Sequence, residues 1–181
     1  MKIGDILFFA PGIKFSEVNL NAAEFPGLFG RRISGFYLDP ADLCARDGLD
    51  FASGALLVSC IDALARFRFG GDVGARFRKF LLHELGSFAG GDFTERFYDE
   101  FRNGLVHEAR IKNGGQFSRE APGTVQLIDG LLVVNPARLG AEVRSALGAY
   151  VTLLERDRVE REKLASHLAT DLAVDFHTAR L

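Results

Sequence analysis

From residue 49 onward, apolar positions recur with helical spacing. The stretch GLDFASGALLVSCIDALARFRFGG is apolar on nearly every face, carries Asp62 in its middle and ends at Gly70-Gly71. An all-round apolar helix predicts a central one. Asp72 is placed to cap a second helix running to about Phe88, with Phe77, Phe80, Leu81 and Leu85 on one side and Gly90-Gly91 as its stop. Asp92-Phe93-Thr94-Glu95 has the spacing of a capping box. In the helix it opens, Phe97, Phe101, Leu105 and Ala109 recur every four residues and are expected to face the core. Asn113-Gly114-Gly115 is read as the end of that helix.

Alternation replaces helical spacing in TVQLIDGLLVV, residues 124–134, where Asp129-Gly130 between two β-branched runs signals a hairpin. Asn135-Pro136 then offers a cap and a first-turn proline. Leu139, Val143, Leu147, Tyr150, Val151 and Leu154 continue as a helix. The charged run ERDRVEREK is either the exposed part of one long helix or a kink before a last helix carrying Leu164, Leu168 and Leu172. Residues 1–47 hold the weakest pattern: ILFFAPG and FPGLFG interrupt any long period, and only Asp39-Pro40 reads as a helix start. The fold expected is all-α: a single domain over 1–181, built as an antiparallel bundle of four to five helices with one small hairpin inserted near 124–134. Residues 1–47 are expected to be an irregular segment packed on that bundle.

Composition changes the picture in two places. The chain has 17 Phe, 3 Tyr and no Trp, which suggests a core of rings needing no hydrogen-bond partner. Its net charge of −2 gives no global attraction to nucleic acid, so any such contact must come from a local patch. Cys44 and Cys60 form no CxxC pattern and read as reduced core thiols. The N-terminal apolar run is too short for a signal peptide or a membrane span, and a cytoplasmic protein with no membrane contact is expected.

One segment carries candidate chemistry: Tyr98-Asp99-Glu100-Phe101-Arg102-Asn103-Gly104-Leu105-Val106-His107. On a helix, Asn103 and His107 share a face, and Tyr98 and Arg102 share its neighbour. Arg102 and His107 lie roughly 140° apart around an ideal helix. The length of Arg and a turn loosened at Gly104 can close that gap. A guanidinium, an amide and an imidazole on one spot suit metal-free cleavage of RNA. Histidine can take the proton of the 2′-hydroxyl, and a planar guanidinium can hold two oxygens of the charged phosphorus centre.

Arg102-Asn103-x-x-x-His107 resembles the R-x(4–6)-H signature of the HEPN superfamily, including the polar residue favoured after the Arg. The surrounding YDEFRNGLVHE is similar to the motif helix of HEPN toxins and defence-linked RNases. The likeness is sharpest over 92–118. It implies a homodimer with the two motif helices meeting, RNA as substrate and a 2′,3′-cyclic phosphate product. His107 is implied as general base, Arg102 as phosphate stabiliser and Asn103 as positioning group, with a nucleotidyltransferase-type antitoxin as partner in many relatives. Other members are inactive and bind nucleotides or scaffold proteins, which the negative net charge favours.

Asp62 and Tyr98 are the supporting candidates. An acid in an apolar helix needs a partner; Arg102 or Tyr98 is expected to supply it, making Asp62 an orienting group. Arg110 and Lys112 are the candidate RNA-contacting cations. Glu108 reads as solvated, and Asn113-Gly114-Gly115-Gln116 as a helix end rather than a phosphate loop. His83, His167 and His177 lack metal-ligand spacing with one another or with a Cys, so no metal and no cofactor is expected. No Ser-His-Asp or Cys-His arrangement is present.

Overall fold

A computed structural model describes residues 2–4 and 6–178, with side chains described for 3–4 and 6–173. The chain divides into two compact units, one made of Met1–Phe36 with Leu147–Leu181 and the other of Tyr37–Ala146. The protein is mostly helical, but it carries two three-stranded sheets where the sequence predicts one hairpin.

In the first unit, β1 (Lys2–Ile3), β2 (Ile6–Ala10) and β3 (Ile13–Lys14) form an antiparallel sheet in that order. Helix α1 (Phe25–Ile33) follows, with Pro26 in its first turn. Phe9 and Phe25 are fully buried against each other, their ring centroids 6.3 Å apart. The segment expected to be irregular is therefore ordered by a hairpin at the Pro11-Gly12 turn, where Gly12 has φ +72°. The charged run resolves as a break at Asp157. Its Oδ1 accepts from the backbone N–H of Val159 at 2.9 Å and of Glu160 at 3.2 Å, and opens α8 (Arg158–Thr178) after α7 (Pro136–Arg156).

The second unit holds α2 (Asp39–Arg46), α3 (Asp50–Phe69), α4 (Val73–Glu84) and a composite motif helix. That helix begins as α5 (Phe93–Arg96), widens into a π-helical stretch over Phe97–Asn103 and closes as α6 (Gly104–Glu108). Asp72 caps α4 as expected, accepting from the N–H of Ala75 at 2.9 Å. Asp92 makes no such bond, and the expected capping box is absent: Glu95 reaches instead to Arg78, 2.7 Å away on α4.

Beneath the motif helix runs a line of phenyl rings. Phe97 stacks with Phe77 at 6.2 Å and with Phe101 at 5.0 Å, and Phe101 meets the edge of Phe117 at 5.0 Å. Phe117 belongs to β4 (Gln116–Phe117), which pairs in parallel with β6 (Leu131–Val134). β6 in turn pairs antiparallel with β5 (Val125–Ile128), through a turn at Asp129 and Gly130 with φ +51° and +79°. The Phe117 ring lies so flat on α3 that a Cβ at Gly54 would come within 2.3 Å of it.

Phe97 and Phe101 face the core as expected, but Leu105 is half-buried and Ala109 is exposed. The π stretch adds a residue to the turn and rotates everything after it away from the four-residue period. The helix also stops earlier than expected. Ala109, at φ +54°, turns the chain back, Arg110 donates its N–H to the carbonyl of Gly104, and Lys112 donates to that of Glu100. A Cβ on Gly104 would lie 2.4 Å from the Arg110 carbonyl oxygen, so glycine is what permits this return.

Candidate functional site

The motif side chains converge on the outer face of the composite helix, opposite the phenyl line. Arg102 Nη1 donates to Asn103 Oδ1 at 3.2 Å and lies 3.4 Å from His107 Nε2. Its other terminal nitrogen donates to Asp62 Oδ2 at 3.0 Å. Asp62 sits mid-way along α3, and its second oxygen faces Arg76 of α4 at 3.7 Å. Three helices thus meet at one carboxylate, and Arg102 is fixed between an acid behind it and an amide and an imidazole in front. For the 3.4 Å contact to be a hydrogen bond, His107 Nε2 must be the unprotonated, accepting nitrogen.

These groups open on a cleft of about 690 Å³ lined by Arg78, Tyr98, Arg102, Asn103, His107 and Lys112. Asp72 and Glu108 are the acidic members of its lining. The ring of Tyr98 lies under two guanidiniums, with Arg78 4.0 Å and Arg102 5.9 Å from its centroid. Gly74 leaves room for its hydroxyl: a Cβ there would sit 2.9 Å from that oxygen.

The two cations expected to contact RNA are placed differently from each other. Lys112 lines the cleft, but it donates to Asp99 at 3.1 Å and faces Glu108 at 3.3 Å. The bond to Asp99 holds its ammonium pKa above the usual range. Arg110 is not among the lining residues and pairs with Glu108 at 2.5 Å. Both are thus partly neutralised by neighbouring acids. Sequence reasoning did not identify Arg76 and Arg78, which approach the site from α4. The Arg-x-Arg-Lys run they belong to looks like an ordinary polar helix face, and only the return of the motif helix across α4 gives it a role.

The remaining candidates lie elsewhere. His83 and His167 are exposed, and the side chain of His177 lies outside the described residues. Cys60 is fully buried, and burial pushes its thiol up to about 12, so it stays protonated. Among the described residues no group of three or more His, Cys, Asp or Glu is arranged to hold a metal ion, and no helix is long and apolar enough to cross a membrane.

Chemically, the cleft offers a fixed guanidinium, an amide and an exposed imidazole within hydrogen-bond reach of one point. Such a set can hold a phosphate and move one proton. Comparison with known proteins gives no match among family models, curated proteins or solved structures.

Proposed function

We propose that the protein is a metal-independent endoribonuclease of the HEPN type. The observation that carries the reading is the convergence of Arg102, Asn103 and His107 on an open cleft, with Asp62 bonded to the back of the Arg102 guanidinium. His107 takes the proton of the 2′-hydroxyl. The 2′-oxygen attacks phosphorus, the bond to the 5′-oxygen breaks, and the departing oxygen takes up a proton from a second acid or from water. The product is a 2′,3′-cyclic phosphate. Arg102 stabilises the charge on the non-bridging oxygens, and Asn103 orients them. A second copy of the chain brings its own Arg102 and His107 to the same phosphate. The reading includes a cytoplasmic setting and a nucleotidyltransferase-type partner that silences the enzyme.

RNA incubated in EDTA with the wild type is expected to yield cyclic-phosphate ends. His107→Ala is expected to lower the rate about 10²- to 10⁴-fold, with Arg102→Ala losing a comparable share. A folded wild type that leaves tRNA, ribosomal RNA and synthetic oligomers intact overturns the enzyme reading. The alternative is then a non-cutting module that binds a nucleotide or protein through this cleft. The ion pairs that occupy Lys112 and Arg110 favour that alternative.

A further inference from the structure

Arg102 lines two clefts. Besides the one that opens at His107, a smaller cleft of about 300 Å³ lies on the α3–α4 side, walled by Val58 and Val106 and carrying Asp62, Arg66, Arg76 and Arg102. Three arginines share it with one carboxylate, in a chain whose net charge is −2.

Three buried polar atoms around Asp62 lack a hydrogen-bond partner. Asp62 accepts one hydrogen bond, from Arg102, and its other oxygen is too far from Arg76 for a second. Asp62 Oδ1, Arg76 Nε and Arg102 Nε are buried without a hydrogen-bond partner, and they make up three of the four such side-chain atoms among the described residues. Such groups call for an explanation. Asp62 cannot neutralise or saturate both guanidiniums. Their side chains keep 12% and 16% exposure for Arg102 and Arg76, and Arg66 is exposed on the turn of α3 after Asp62. Anionic oxygens arriving from solvent would meet several N–H donors at once.

We propose that the smaller cleft is a second phosphate subsite, which holds the phosphate adjacent to the one at His107. This rests on the nucleic-acid reading of the larger cleft and narrows it. The preferred substrate is an oligonucleotide that passes over Arg102 and presents two successive phosphates. Arg102 serves both, while Arg66 and Arg76 serve only the second. Because the smaller cleft lies on one side of Arg102, it engages a phosphate on one side of the scissile bond and not on the other.

Binding of 2′-deoxy dinucleotides, which lack the attacking hydroxyl, tests this apart from cleavage. Three probes are compared by calorimetry: one with its internal phosphate alone, one with an added 5′-phosphate, one with an added 3′-phosphate. The wild type is expected to bind one of the two doubly phosphorylated probes about tenfold more tightly than the first, the scale of one hydrogen bond to a charged group. The other is expected to gain little. Arg66→Ala, at an exposed position, and Arg76→Gln are each expected to shrink that ratio to about twofold or less. Arg138→Ala, a charge removed from the exposed start of α7, is expected to preserve it. Absence of a gain in the wild type, or a gain that survives both variants, overturns the subsite. A gain that behaves as expected, alongside RNA that is never cut, supports the subsite and refutes the nuclease. RNA cut normally with no phosphate gain does the reverse.

Discussion

Two helices of the second unit begin with the same three residues. Gly70-Gly71-Asp72 opens α4, and Gly90-Gly91-Asp92 opens the motif helix. The first start is regular: Asp72 caps it, and twelve α-helical residues follow. At the second, Asp92 makes no cap bond, four α-helical residues follow, and the helix then widens. The two openings are identical up to the Asp, and the difference lies in what the following residues reach. Glu95 is drawn across to Arg78, and the rings of Phe97 and Phe101 must both reach the core while Arg102 and His107 reach the surface. An ideal helix holds Arg102 and His107 roughly 140° apart. The inserted residue of the π stretch lets the rings and the polar groups each reach their own side. Departures of this kind gather at functional sites.

The largest expected effect on this contrast comes from its rings. Phe101→Ala should cost about 3–5 kcal/mol in urea unfolding, because a fully buried ring between Phe97 and Phe117 leaves a cavity. Leu105→Ala, beyond the widened turn, should cost about 1 kcal/mol. Equal losses would mean that the helix keeps a plain four-residue period and that the π stretch is not the true geometry. The caps come next. Asp72→Ala should destabilise by about 1 kcal/mol, whereas Asp92→Ala should stay within about 0.5 kcal/mol of the wild type. A cost at Asp92 matching that at Asp72 would restore the capping box to the motif helix.

The smallest effect concerns a third helix start, that of α3. Here Asp50 holds Arg119, which donates to it at 2.8 Å, rather than capping its own helix. That hydrogen bond holds the Asp50 carboxyl below the usual range. The stability it lends is therefore fully present above the unfolded carboxylate value, about 4. It is lost as pH falls through the lower folded value. Asp50→Asn should remove part of the acid sensitivity below about pH 4, with a loss under about 1 kcal/mol at neutral pH, since the pair is partly exposed. An unchanged acid transition would refute the assignment.

The legible parts of the chain share a physical property: their determinants are local. Asp72, Asn135-Pro136 and Asp129-Gly130 act on backbone within a few residues, and each element appears where its pattern predicts. That Asp62 has a partner was also legible, because an acid among apolar residues needs one; of the two expected, Arg102 and Tyr98, it is Arg102 that bonds to it. What the sequence hid depends on distant chain. The strand at Gln116–Phe117 exists only because β6 offers it an edge, and two residues carry no period. The short strands of the first unit were masked by Pro11 and Gly12, which break the alternation where the hairpin turns. Arg76 and Arg78 join the site through contacts with Asp62 and Glu95, which lie on other helices.

Tyr98 has a practical consequence. The chain has three tyrosines and no tryptophan, so its ultraviolet emission comes from few places. Tyr150 is sealed against Phe29 in the first unit, whereas Tyr98 lies under the guanidinium of Arg78 at the wall of the larger cleft. An occupant that pulls Arg78 or Arg102 toward itself changes what lies over that ring. If the cleft is occupied as proposed, the emission of Tyr98 in the unlabelled chain is expected to change.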